Sequence, residues 1–175
     1  MMSLYFPEGK GSRLFTDPQQ KVSVDTALMA LFKPDNIFLF SCKVKVDFKT
    51  VFDAGVLMIY ADSDRWAKLC FEYSPQYKPM VVSVVNNRVS DDSNHDIIST
   101  NEVYLRISGL GDGAYAFHYS VDGVYWNMVR YFYLDPEDDL KIGFLSQSPR
   151  GDSCETAFSE ISYSPDKLDD IRSGR

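Results

Sequence analysis

Cysteine, histidine and long apolar runs are all scarce in this 175-residue chain. Its three cysteines, Cys42, Cys70 and Cys154, are an odd and widely spaced set. Each falls in a strand-like segment, where a free thiol acts as a small hydrophobe and fits a reducing compartment. With two histidines, His95 and His118, and no ligand-like cysteine spacing, no zinc site is expected. The longest apolar run, residues 56–61, falls far short of the roughly 18 residues a membrane span needs. The opening MMSLYFPEGKGSR lacks a basic n-region and a continuous apolar h-region, so a cytoplasmic protein away from membranes is expected. A net charge of -7 without a basic stripe argues against nucleic acid as a partner. Helical periodicity is nearly absent, and neither histidine lies near a G-x-S-x-G elbow, so no nucleophilic triad is indicated. His118, alternating with Ala116 and Ser120, reads as a sheet residue rather than a base.

What is present is two-residue alternation, interrupted by Gly, Pro, Asp, Asn and Ser. Residues 38–47 turn Phe38, Phe40, Cys42, Val44 and Val46 inward while Lys43, Lys45 and Asp47 face water. Residues 80–85 are apolar on both sides except Ser83, and their β-branched content favours strand. The glycines of Gly109-Leu110-Gly111-Asp112-Gly113 supply a tight turn between two arms, and Asp122-Gly123 is a primed-turn signal before residues 125–132. Residues 141–147 and 156–163 are the last strands, and 164–175 is a polar tail, either solvated or one short helix. Ten or more strands without a linker predict a single all-β domain over 1–175, a jelly-roll-like sandwich of two packed antiparallel sheets. A closed up-and-down barrel is the rival. About 70% of the unfolded surface can be buried at this length, so no metal or disulfide staple is required.

The hairpin of residues 53–73 carries the most chemistry. With Ala61 to Arg65 in the turn, residues whose numbers sum to 126 pair. Gly55, Leu57 and Ile59 then oppose Phe71, Leu69 and Ala67 on a wholly apolar face. The other face pairs Tyr60 with Trp66, Met58 with Lys68, Val56 with Cys70 and Ala54 with Glu72. A cation and a carboxylate in such surroundings need partners or water. Lys68 and Glu72, roughly 13 Å apart along one strand, cannot pair tightly, so each requires a lateral partner. Arg130 is the natural candidate for Glu72. Two readings compete: a ligand groove lined by Tyr60, Trp66, Lys68, Glu72, Ser83 and Arg130, and a structural ion network.

Glycoside hydrolysis needs two carboxylates about 5 to 9.5 Å apart. Only Asp53 lies near Glu72 on this hairpin, at a strand end and facing away, so no catalytic residue is assigned. The DDSNHD run at 91–96 has alternating oxygen ligands but lacks the Gly and Glu of a calcium loop, and reads as a hydrated loop. No metal and no cofactor are expected. Trp126 reads as packing at a sandwich end.

The blocks FDAGVLMIYADSDRWAKLCFEY, VVSVVNNRVSDD, YSVDGVYWNMVRYF and KIGFLSQSP, in that order, resemble an uncharacterised concanavalin A-like sandwich family, domain of unknown function 1349. That family includes the fungal regulation-of-enolase protein. The resemblance spans about residues 12–163. It extends to the non-catalytic C-terminal domain of some β-xylosidases and to the lectin/glucanase-like fold, implying two curved sheets and a concave face for extended ligands. It marks Asp53, Gly55, Trp66, Lys68, Glu72, Ser90, Asp91, Asp122, Gly123, Trp126 and Arg130. In the family pattern the early Thr-Asp and the central Ser-Asp precede aromatics, commonly Trp. Here Thr16-Asp17 precedes Pro18-Gln19 and Ser90-Asp91 precedes Asp92, so two stacking rings for a sugar are missing. The function expected first is a non-catalytic binding module for carbohydrate or another polar small molecule on the concave face. A structural or regulatory domain with a protein partner is the alternative, and a glycoside hydrolase-like enzyme the third.

Overall fold

Among the described residues fourteen strands form two six-stranded antiparallel sheets and a two-stranded arm. The structure, a computed structural model, describes residues 3–135 and 139–175. In chain order the strands are β1 Leu4–Gly9, β2 Leu14–Thr16, β3 Ser23–Asp25, β4 Met29–Phe32, β5 Ile37–Asp47, β6 Ala54–Tyr60 and β7 Arg65–Tyr73. They continue with β8 Pro79–Asn87, β9 Val89–Ile97, β10 Glu102–Gly111, β11 Ala114–Ser120, β12 Asn127–Tyr133, β13 Lys141–Gln147 and β14 Ser153–Ser164. The first sheet runs β1-β14-β5-β10-β11-β12 and the second β4-β13-β6-β7-β8-β9, with β2 and β3 paired separately. Each six-stranded sheet ends in two edge strands, so the fold is an open all-β sandwich of the jelly-roll kind and not a closed barrel. Among the described residues no helix is long and apolar enough to cross a membrane.

Alternation dictates the core. On β5, Phe38, Phe40, Cys42, Val44 and Val46 are buried and meet Leu57, Ile59, Leu69 and Phe71 of β6 and β7 between the sheets. Phe40, Phe144 and Phe158 lock the centre, with ring centroids 5.2 and 4.7 Å apart in tilted or edge-to-face pairs. Each such buried side chain contributes up to roughly 3 kcal/mol of transfer free energy, so this inner layer dominates stability. The three cysteines lie on β5, β7 and β14 as buried free thiols. Burial pushes Cys70 up to about 12 and Cys154 to about 11, so both are protonated and unreactive at neutral pH.

Three local expectations are corrected. The 91–96 run is not a loop but lies within β9, because its alternate residues can pair with β8 while its polar side chains stay at the sheet edge. Asp122-Gly123 makes no two-residue turn. Asp122 Oδ1 accepts from the Val124 and Tyr125 amides at 2.8 Å, which opens a longer connection before β12. Residues 165–175 are not helical, and the segment is mostly exposed but not free: Leu168 and Gly174 are buried, Gly174 lies against Arg106 and Trp126 of the first sheet's outer face, and the Asp170 and Arg175 backbones bond each other.

Candidate functional site

The β6–β7 register is the one expected, from Ala54 opposite Glu72 to Tyr60 opposite Trp66. Pairing with β13 and β8 extends each pair into a row across the second sheet. One row reads Gln147, Ala54, Glu72, Met80, and another Gly143, Met58, Lys68, Val84, Asp92. Polar groups from three strands thus share one apolar face, the face turned away from the main core. Leu14, Ala54, Val56, Met58, Trp66, Cys70, Val82 and Val84 form a second hydrophobic cluster there, partly covered by residues 14–27.

Lys68 is 3% exposed. Its Nζ donates to Leu14 O at 2.6 Å and to Gln147 Oε1 at 3.2 Å, and lies 5.3 Å from the Trp66 ring centroid. Gln147 Nε2 donates in turn to Glu72 Oε2 at 3.4 Å and to Phe52 O at 3.3 Å. One amide therefore bridges a cation and a carboxylate too far apart to meet. Burial pushes the Glu72 carboxyl up to about 7; Lys68 opposes that rise and Asp92 adds to it. Near neutral pH Glu72 exists in both forms and can either accept or donate a hydrogen bond.

The bridge opens on a cavity of about 440 Å³ lined by Lys68, Glu72, Asp92, Asn94 and Gln147, with Phe15 and Phe52 among its apolar walls. Arg13 and Arg150 also border it, and the Arg150 guanidinium lies 5.0 Å from the Phe52 ring centroid. A larger hollow of about 570 Å³ outside the β2–β3 arm has Arg88 as its one charged wall and no aromatic ring, so it lacks a converging polar set.

Of the six residues proposed from sequence, Lys68 and Glu72 line the cavity. Trp66 is fully buried beneath Lys68, and its Nε1 lacks a hydrogen-bond partner among the described residues. Tyr60, half-buried, packs on the apolar cluster at the end of β6. Ser83 is not in the groove. It opposes Leu69 on the inter-sheet face, and its Oγ meets His95 Nε2 at 3.1 Å. Nor does Arg130 reach Glu72, because β12 is the far edge of the other sheet. Arg130 instead pairs with Asp91 at 2.9 Å and donates to the Asp91 carbonyl at 3.2 Å, tying the β12 edge to β9.

Asp53 is also withdrawn from chemistry. Fully buried, it accepts from the Lys49 and Thr50 amides at 2.9 and 2.8 Å and from the Ser148 hydroxyl at 2.8 Å. Ser90 is structural too, donating to Asn86 Oδ1 at 2.9 Å and accepting from the Thr16 amide at 3.0 Å. Sequence reasoning missed Gln147, Asp92 and Asn94. Gln147 was visible only as the polar end of an apolar strand, and Asp92 and Asn94 required the 91–96 run to be read as a strand. Asp92 and Glu72 stand two strands and four residues apart, so their Cα atoms are roughly 16 Å apart.

A protein of unknown function from Saccharomyces cerevisiae is similar in structure, at TM-score 0.82 and 20% identity over 93% of this chain and 87% of that one. A xylan β-1,4-xylosidase from Bacillus halodurans C-125 matches at TM-score 0.72 and 13% identity, over 91% of this chain but 32% of the enzyme. A GH43 protein from Bacillus licheniformis matches at TM-score 0.70 and 12% identity over the same shares. The chain thus spans about a third of those GH43-type proteins, and the likeness is one of fold. No curated protein matches the sequence. Residues 4–166 match the family described as "Protein of unknown function (DUF1349)", and the chain belongs to it.

Proposed function

We propose that the chain is a non-catalytic binding module that takes a polar ligand, a short saccharide in the first instance, in the cavity over β6, β7, β8 and β13. The observation that carries this reading is the Lys68–Gln147–Glu72 bridge opening on that cavity. Small-molecule sites combine apolar walls with a few converging polar groups in volumes of about 300 to 1,000 Å³. A saccharide asks for the same mixture, hydroxyl partners of both polarities beside ring faces. Lys68 supplies a donor, Asp92 an acceptor, Asn94 and Gln147 both, and Phe15 and Phe52 apolar rings. The sandwich domains of the xylosidases make xylo-oligosaccharides the first ligands to try.

Xylobiose and xylotriose, then hexose and uronate disaccharides, are titrated into the wild type and into Glu72→Ala and Gln147→Ala by calorimetry and thermal shift. A ligand that binds only the native state raises the melting temperature. Binding is expected to weaken at least tenfold in both variants while their circular dichroism stays native. Unchanged affinity in a folded Glu72→Ala protein rejects the cavity, and no response to any saccharide rejects the ligand class. A second reading, a protein-interaction domain, draws on the β12 edge, where Tyr131 and Tyr133 are 53% and 61% exposed.

A further inference from the structure

The outer face of the first sheet holds a second polar cluster, remote from the cavity. Pairing of β10 with β11 sets Arg106 opposite His118, while Leu105, Ile107 and Phe117 fill the core on the other side. Arg106 is 7% exposed, and Ser108 and His118 are fully buried. Four buried side-chain polar atoms lack a hydrogen-bond partner among the described residues, and three of them are here: Arg106 Nε and Ser108 Oγ, which can donate, and His118 Nδ1, an acceptor while Nε2 carries the proton. Native interiors leave few such groups unmatched, and each asks for a reason.

What covers them is the chain's own segment 165–175. Arg106 Nη2 donates to Gly174 O at 2.6 Å, His118 Nε2 donates to Ile171 O at 2.8 Å, and the guanidinium lies 4.1 Å from the Trp126 ring centroid. No carboxylate pairs with Arg106 among the described residues, so one neutral carbonyl, Gly174 O, stands where a desolvated guanidinium binds an oxyanion best, and Ile171 O occupies the neighbouring His118 donor. The segment adds no strand to the sheet. Its seat depends on Gly174, at φ +68°, because a Cβ there would lie 2.5 Å from Arg106 Nη2 and 2.8 Å from Trp126 Cβ.

We propose that Arg106, Ser108 and His118, beside Trp126, form a second binding site for a small oxyanion carrying a carboxylate or phosphoryl group, and that segment 165–175 is its displaceable occupant. The guanidinium fork, the Ser108 hydroxyl and the His118 Nε2–H are the donors. Burial holds His118 down at about 4, so at neutral pH it is a neutral donor and Arg106 supplies the charge.

The chain lacking residues 166–175, and separately Gly174→Val, are titrated with inorganic phosphate and with acetate, read by the His118 ring resonances. Acrylamide quenching reports Trp126, since Trp66 is fully buried. Uncovered chains are expected to bind one or both anions at least tenfold tighter than the wild type, and Arg106→Gln in the same background to abolish the gain. Response to phosphate alone assigns a phosphoryl group, and to acetate alone a carboxylate. A folded, uncovered chain whose His118 signals ignore both anions overturns the site. An intact chain whose amides at 168–174 exchange only on global unfolding overturns displacement. If the shortened chain does not fold, Gly174→Val carries the test.

Discussion

Each sheet of this sandwich buries one long cation on the face turned away from the core, and each of the two is capped by a main-chain carbonyl and flanked by a tryptophan. Lys68 lies under Leu14 O with Trp66 beside it, and Arg106 under Gly174 O with Trp126 beside it. Beyond that the two faces diverge. Lys68 continues through Gln147 to Glu72, so its charge is answered by a dipole and then a carboxylate, and the chain of bonds opens on a cavity. Arg106 has no such continuation and is sealed beneath residues 165–175. A buried charge is tolerated when dipoles and counter-charge share it, and is a standing demand for a ligand when they do not.

The largest expected effect comes from removing the answered cation. Lys68→Met leaves Leu14 O and Gln147 Oε1 unpaired and strips Glu72 of its favourable neighbour, a loss of about 3 kcal/mol in urea unfolding at pH 7.5. Arg106→Met is the contrast. It forfeits one carbonyl bond but relieves an uncompensated desolvated charge, so stability should stay within about 1 kcal/mol of wild type. Equal losses in the two variants would erase the distinction between the faces.

Glu72 sharpens the comparison through pH. Its folded pKa of about 7 lies above the ordinary 4.5, so the native state holds this proton more tightly than the unfolded chain does. Its contribution is fully present below pH 4.5 and is lost as pH rises through 7. Discounted for the water a half-buried carboxylate keeps, the loss is about 2 kcal/mol. Glu72→Gln should therefore gain stability relative to wild type by that amount between pH 4.5 and 7.5, followed by thermal unfolding. A difference independent of pH would mean that the carboxyl is ordinary. A group that destabilises the fold at working pH fits a binding role better than a structural one.

How much of this was legible follows from which contacts are local. The β6–β7 register could be counted because a five-residue turn fixes which residues oppose, and alternation then assigns Lys68 and Glu72 to one face. The sandwich was readable from the same period. Gln147 was not, because β13 reaches β6 from more than eighty residues away and nothing local announces the pairing. Ser83 was misplaced for want of the β7–β8 register, which sets it against Leu69 on the core face. The 91–96 run looked like a loop because an edge strand can be polar on both sides. Segment 165–175 looked solvated because its anchors are backbone carbonyls and one glycine, which leave no mark in a hydropathy pattern.

Arg130 gives the smallest expected effect and the clearest contrast with both buried cations. Sequence spacing set it beside Glu72, yet its partner Asp91 has a side chain 73% exposed, and the pair lies at the sandwich edge. Exposed ion pairs contribute between nothing and about 1 kcal/mol, because water screens them and two long side chains must be held still. Arg130→Met should lower stability by no more than about 0.5 kcal/mol and leave any saccharide affinity of the cavity unchanged. A large loss of binding in that variant would mean that the β12–β9 edge shapes the cavity from outside, because Asp91 and Asp92 are adjacent on β9 and face opposite ways.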